Sequence, residues 1–508
     1  MPTRIPSTRF VTRLATPVSR VIATALALTL AGCAGGPAYV KPTVAAPDRW
    51  GDWHGGDASL LPAGTSAAPG LTGRWWEALG DPVLDRLEAE ALDASLDLRT
   101  AALRFAEARG QRGVAEAEGG PRVGLTAAAT RQRQSELGAG TRLIDVIGTD
   151  RDRIAPLLAQ PFTLYQAGFD ASWEPDLWGR VRHAVEAADA DVASQAALLD
   201  LARLSLASEV ARRYLDVRTA QAQIALLGED EAALRERLRI VAARVRGGTL
   251  GHADLARQQS DLAARTAQLP ALRAQEAAGI NQLTLLLGKR PGELRTLLAP
   301  GTRPGVGELP DLSLGLPSDV ARRRPDIRNA EAQLRRATAN IGIARADLYP
   351  SIRLGAHAGF ESYLKSDFTD WGSRTWSIGP SLDLPLFDHG RRQRVVQLRE
   401  LQQQEAAIQF QRTVLQAWQE IDDGLSSYAA NQQERYDLMR RVDSAREAYE
   451  LAQARFAGGT TDYVAVIDAQ RNWLQARFDL VASEGKLRTA YVILNKALGN
   501  VISGRPSG

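Results

Sequence analysis

The chain has 508 residues, one cysteine, five histidines and a formal net charge of +3, with charged residues making up 24% and aromatics 6%. Four of its arginines (Arg4, Arg9, Arg13, Arg20) lie in the first 32 residues, which hold no acid, so the remainder carries a formal −1 and its basic pI implies no nucleic-acid partner. No disulfide can form within a chain that has one thiol, and the scattered histidines assemble no catalytic or metal-ligating cluster.

Residues 1–32 read as a secretory signal: a basic start, an apolar run from Val21 to Leu30, then Leu30-Ala31-Gly32-Cys33. That ending resembles a bacterial lipobox, which makes Cys33 the expected lipidated N-terminus. Ala34, in place of an aspartate, points to the outer membrane. Residues 33–74 are then a lipidated N-terminal extension. After the leader no run of about eighteen apolar residues occurs, so any crossing of a bilayer must be made by strands.

From residue 75 the chain is written twice. Gly179, Gly247-Gly248-Thr249, Gln259 and Gly288 recur 211 positions later as Gly390, Gly458-Gly459-Thr460, Gln470 and Gly499. Upstream, Asp97, Arg99 and Pro121 recur 229 positions later as Asp326, Arg328 and Pro350. The spacing shrinks by 18, so the first copy carries extra residues, expected between Gln134 and Pro161. The first repeat spans 75–288 and the second 317–499, with a Pro-rich connector at 289–316 and a tail at 500–508. Each copy reads helix, strand, loop, strand, very long helix, Gly-Gly-Thr turn, helix.

Four strands are expected from strict alternation. Val123, Leu125, Ala127 and Ala129 form the weakest. Tyr165, Ala167, Phe169, Ala171 and Trp173 interleave with polar residues or glycine, as do Ile352, Leu354, Ala356, Ala358 and Phe360. Trp376, Ile378, Leu382 and Leu384 complete the set. Each run has about the 9 to 11 residues a tilted strand needs to cross a bilayer, and aromatics crowd at their ends as interfacial girdles do. Four strands cannot close a barrel, and open edges are forbidden in hydrocarbon, so several chains must share one. A half-buried soluble sheet alternates in the same way, but leaves the export signal unexplained.

No proline interrupts Gly179 to Arg246 or Gly390 to Ala457, and about 68 residues of helix span roughly 100 Å. Such helices call for coiled-coil packing. In each Gly-Gly-Thr a glycine is expected to take the left-handed cap and the threonine to cap the next helix. Pro270 predicts a break in the first return helix only, because Val481 stands at the equivalent place in the second. The prolines between Lys289 and Pro325 predict a strap along the outside of the helical body.

The segments Trp75-Trp76-Glu77-Ala78-Leu79-Gly80-Asp81-Pro82, Trp173 through Arg180, Arg323-Arg324-Pro325-Asp326-Ile327 and Gly459-Thr460 through Gln470 resemble those of the TolC/NodT-type outer-membrane efflux lipoproteins. The resemblance implies an α+β membrane channel: a homotrimer whose four strands per chain form a twelve-stranded β-barrel, continued by a long α-helical coiled-coil barrel in the periplasm. It implies a periplasmic adaptor and an inner-membrane pump of the RND type as partners, outer-membrane lipid around the barrel, and no cofactor. It also makes Asp468 the acid of the periplasmic gate, with Tyr463 beside it. The turns Gly247, Gly248, Thr249 and Gly458, Gly459, Thr460 become the adaptor-docking tips. Taken alone, Asp468 is a helix acid two turns in from Thr460. Ala465 stands where a second gate acid can occur and Thr461 where an arginine can. Within this class the alternatives are small-molecule efflux and protein secretion; outside it, a periplasmic coiled-coil scaffold accounts for the helices but not for the strands.

Overall fold

The computed structural model describes residues 36–43, 46–61, 73–138, 150–300, 309, 314 and 317–501. The chain divides into two compact units. One comprises Met1–Val40, Gly110–Ala190 and Arg335–Glu405; the other Lys41–Arg109, Asp191–Leu334 and Ala406–Gly508.

In chain order the helices and strands are α1 (Pro82–Ala94), α2 (Leu96–Ala117), β1 (Arg122–Gln132), α3 (Arg151–Leu158), β2 (Phe162–Trp173), α4 (Arg180–Arg246), α5 (His252–Thr266) and α6 (Leu269–Leu286). Then come α7 (Pro317–Arg323), α8 (Pro325–Ala346), β3 (Ser351–Ser362), β4 (Arg374–Asp383), α9 (Arg391–Ala457) and α10 (Tyr463–Ala497). The repeat is exact in length where it is most demanding: α2 and α8 have 22 residues each, α4 and α9 have 67 each. The expected surplus of the first copy also appears. Between β1 and β2 lie residues 133–161, between β3 and β4 only 363–373, and the longer connection contains α3.

The first unit is built on an antiparallel sheet of order β1-β2-β3-β4. Its register places Leu125 opposite Phe169, Phe169 opposite Ala358 and Ala358 opposite Trp376, so the apolar residues of all four strands share one face. Val123, Leu125, Phe169, Leu354, Trp376, Ile378 and Leu382 are exposed there. The opposite face is polar and thinly built. Gly168 faces Gly359, and the imidazole of His357 lies over Gly168, where a Cβ would meet it. His357 Nδ1 is 2.8 Å from Asp170 Oδ1, and Thr126 Oγ1 donates to Asp170 Oδ2 at 2.8 Å. Among the described residues β1 and β4 each have one sheet neighbour, which leaves two open edges.

Both long helices start by the same device. Gly179 and Gly390 take φ 78°, and a preceding aspartate accepts from the first free amides. Asp176 takes Val181 N at 3.0 Å and Arg182 N at 2.8 Å; Asp388 takes Gly390 N at 3.0 Å and Arg392 N at 3.2 Å. These carboxylates satisfy amides a helix start leaves without partners. Trp178 stacks on Tyr349 with ring centroids 4.9 Å apart and donates to Pro350 O, tying the start of α4 to the start of β3.

The second unit holds the main core. Trp75, Trp76, Leu84, Leu87, Tyr214, Leu283, Ile421 and Tyr491 are all buried within it. Leu294, Leu298 and Leu314 belong to the same core. The connector is therefore not simply an external strap: its leucines are pulled inward because they are among the apolar residues it has to bury. The break at Pro270 is present. α5 ends at Thr266 and α6 begins at Leu269 with Pro270 in its first turn, whereas α10 runs unbroken for 35 residues.

Candidate gate and docking turns

The two Gly-Gly-Thr turns close their helices in one geometry. Gly248 and Gly459 take φ 73° and 68°, as expected of the left-handed cap. The threonines, however, do not cap the following helix. Thr249 N and Oγ1 both donate to Arg244 O, at 2.9 and 3.0 Å, and Thr460 N and Oγ1 both to Arg455 O at 3.0 Å. Gly248 N reaches Val245 O and Gly459 N reaches Phe456 O, which completes a Schellman motif at each tip. A threonine directly after the left-handed glycine is within reach of the preceding carbonyl, so it finishes the old helix. The new helices are capped by others: Asp254 Oδ2 accepts from Gly251 N at 3.1 Å, and Asp462 Oδ1 from Ala465 N at 3.1 Å.

Tyr463 is the first residue of α10, and its ring lies 5.1 Å from Phe456. The other face of the contact is Arg244, 5.2 Å over the Phe456 ring, which links the last turn of α4 to the second tip. Arg237, one helical stretch earlier on α4, donates to Gln470 Oε1 and lies 5.1 Å over the Tyr449 ring. Burial pulls its pKa below the usual guanidinium value, with Tyr463 acting in the opposite sense. Tyr449 in turn stacks on Trp473 at 5.4 Å.

Asp468 is exposed, and its one ion-pair partner among the described residues is Arg471, at 3.9 Å. Arg471 also pairs with Asp261 of α5, which is buried. Asp468, Arg471 and Asp261 line a cleft of about 610 Å³ together with Leu234, Arg265 and Gln470. Further along α10, Arg477 meets two acids of α4, Glu229 at 2.9 Å and buried Asp230 at 3.9 Å. Burial pushes the Asp230 carboxyl up to about 6, against the pull of Arg477 and Arg265. One oxygen each of Asp230 and Asp261, and both amide atoms of Gln258, are buried without a hydrogen-bond partner. Unsatisfied polar groups of this kind cost on the order of 1–3 kcal/mol each, so this end of the helical hairpins is held by polar contacts that are incompletely satisfied.

Asp468 and Tyr463 thus sit on one helix but in separate surroundings, and the two tips meet through Arg244 and Phe456. The sequence reading missed Arg237, Asp261, Arg471 and Asp230. Arg471 could have been read as the i+3 partner of Asp468, but nothing in the order of residues brings Asp261 to it. Cys33 lies outside the described residues. Gly36, three positions on, packs against His183 and Gly342 so closely that a Cβ would collide with both.

A lipid-compatible sheet with open edges, carried by duplicated long helical hairpins, defines a shared outer-membrane channel. The sequence model for outer membrane efflux proteins matches residues 87–289 and 316–500. Outer membrane protein OprJ of Pseudomonas aeruginosa is 30% identical over 485 residues, 95% of this chain and 96% of its own. Toluene efflux pump outer membrane protein TtgF of Pseudomonas putida is 32% identical over 483 residues, covering 94% and 95%. The solved outer-membrane channel OprN superposes with a TM-score of 0.82 at 28% identity, covering 93% of this chain and all of that one. The chain belongs to the outer membrane efflux protein family. It is the outer-membrane channel of a tripartite efflux system, a homotrimer that joins a barrel to a helical periplasmic tunnel and works with a periplasmic adaptor and an inner-membrane pump.

Proposed function

We propose that this trimer is a passive conduit for small molecules whose periplasmic end is closed at Asp468 and engaged at its two Gly-Gly-Thr turns. The carrying observation is that Asp468 is an exposed carboxylate with one distant ion-pair contact among the described residues, while its neighbour Arg471 is anchored to buried Asp261. Three such carboxylates around a three-fold axis repel one another and favour cations. Arg471–Asp261 ties α10 to α5, so movement of one hairpin past the other has to break that pair. Tyr463, between Phe456 and the Arg237 contact, holds the start of α10 in place. The turns Gly247–Thr249 and Gly458–Thr460 offer the adaptor a rigid shape rather than charge, since none of the six residues is ionisable and their amides and threonine hydroxyls are used in closing the preceding helices.

Cys33 is the acylated anchor of this reading, with 1–32 removed, 33–74 an extension, 75–288 and 317–499 the two repeats, 289–316 the connector and 500–508 a tail. The chain carries no chemistry of its own; the energy for export comes from the pump. Asp468→Ala tests the gate directly. In planar bilayers it should raise single-channel conductance and weaken cation preference. Unchanged conductance and selectivity would remove Asp468 from the gate while leaving the channel itself intact. Mass spectrometry of the purified protein tests the anchor, which requires acyl mass on residue 33.

A further inference from the structure

We propose that Arg374, braced by Trp371, and Arg131 are binding positions for the phosphate groups of glycolipids in the outer leaflet of the membrane. The topology sets which end of the sheet they occupy. Arg122, Trp173, Ser351 and Asp383 lie at the end joined by helices α2, α4, α8 and α9, whereas Gln132, Phe162, Ser362 and Arg374 lie at the hairpin end. The long helices belong to the periplasmic tunnel, so the hairpin end is the one that faces the exterior. The site is independent of the gate.

The charges of the sheet are divided unevenly between its faces. Alternation and register put Arg131 on the same apolar face as Leu125 and Phe169, and Arg374 there with Trp376 and Ile378. Every other residue of the four strands on that face is uncharged, so it holds two arginines and no acid. Asp170, Arg353, Glu361 and Asp383 all lie on the polar face, where Arg353 pairs with Glu174 at 3.3 Å. An arginine on a lipid-facing strand is costly at the bilayer centre and costs little near an interface. The face therefore carries charge only at its outer end, and only of the sign that phosphate requires.

Neither arginine has an ion-pair partner among the described residues. Arg374 is nonetheless held in place, because its guanidinium carbon lies 4.0 Å from the centre of the Trp371 ring, a cation–π contact that leaves its donors to a further acceptor. The loop that supplies Trp371 folds towards lipid. Phe368 packs against Phe360 with ring centroids 6.3 Å apart, and Phe360, like Arg374, belongs to the apolar face. Trp371 itself is 77% exposed, and neither acid of the loop, Asp367 or Asp370, is paired with Arg374. A guanidinium offers a planar fork of donors that fits phosphate oxygens two at a time. The occupant is a lipid because both positions continue the lipid-facing band: Trp376 lies two residues inward of Arg374 and Ala129 two residues inward of Arg131.

Native mass spectrometry of the full-length trimer, stripped of lipid in mild detergent and titrated with bis-phosphorylated lipid A, tests the site. The wild type should retain lipid A, and excess inorganic phosphate should not displace it. Arg374→Gln should weaken binding roughly ten-fold or more, the loss expected of a hydrogen bond to a charged group, and Trp371→Leu should weaken it less. Arg374→Gln combined with Arg131→Gln should reduce binding to that of dephosphorylated lipid A, while Arg353→Gln, on the polar face, should leave it unchanged. Comparing phosphorylated with dephosphorylated lipid on the unaltered trimer decides the matter even where a variant yields no trimer. Equal binding of the two lipids, an unchanged double variant, displacement by inorganic phosphate or an equal loss in Arg353→Gln overturns the proposal.

Discussion

His54 shows what a single side chain contributes to the second unit. Its Nδ1 is 2.6 Å from Asp422 Oδ1 and its Nε2 is 3.0 Å from the carbonyl of Asp57, so both nitrogens face acceptors and only the imidazolium can donate to both. The bond to Asp422 raises its pKa above the ordinary value, with the Asp57 carbonyl second. A raised histidine stabilises fully below about pH 6.5 and loses that contribution as pH rises through its folded value. Replacing His54 by Gln should lower the melting temperature at pH 6 and change it much less at pH 9. Equal effects at both would mean that the ring acts by packing alone, beside Trp50 and Trp53 on Trp418. Glu88 is the opposite case, buried among Leu84, Leu87 and Ala91 with neither carboxyl oxygen hydrogen-bonded. Burial raises its pKa well above the usual range, and Asp85 adds to the shift. Since the folded state holds the proton more tightly, stability falls as pH rises from about 4.3 towards the folded value. Glu88→Leu should therefore stabilise by about 1–3 kcal/mol at alkaline pH, read as a higher urea midpoint; a destabilised variant would show that the carboxyl is satisfied in the trimer.

Among the elements, the return helices separate propensity from position. Pro270 sits in the first turn of α6, where a missing amide is harmless, and the chain uses a separate helix α5 to arrive there. Val481, its equivalent, is in the interior of α10. Val481→Pro should cost about 3 kcal/mol or more, seen as lost trimer after extraction, whereas Pro270→Ala should be nearly silent. The tips obey backbone geometry instead. A β-branched residue at Gly459 would be forced into the left-handed region at a cost of about 1–2 kcal/mol. Gly459→Val should impair efflux without lowering trimer yield, and an equal loss of trimer would show the turn to be structural rather than a docking surface.

At the scale of the whole molecule the two faces of the sheet have opposite tolerances. Phe169 is exposed on the apolar face and Ser172 on the polar one. Phe169→Arg should cost about 2–4 kcal/mol of membrane stability if its side chain meets the bilayer centre; Ser172→Arg should be tolerated and alter ion selectivity instead. The reverse ranking in a membrane-folding assay would invert the assignment of lipid and lumen.

The sequence by itself determined the repeat, the four strands, both long helices, the break at Pro270 and the left-handed glycines. These follow from local rules: a period of two or 3.6, a missing proline, a φ that only glycine takes freely. The strand requirement for a shared barrel was also legible, because open edges are impossible in lipid whatever the neighbours are. Tertiary structure alone decided where the tip threonines bond, that Leu294, Leu298 and Leu314 enter the core, and that Arg471 is held by Asp261. The first depends on whether the hydroxyl lies nearer the carbonyl behind it, to which it donates, or an amide ahead of it, from which it would accept, and the other two join residues tens to hundreds of positions apart. Side-chain type states what a residue can bond, but only the folded chain selects which partner is within reach.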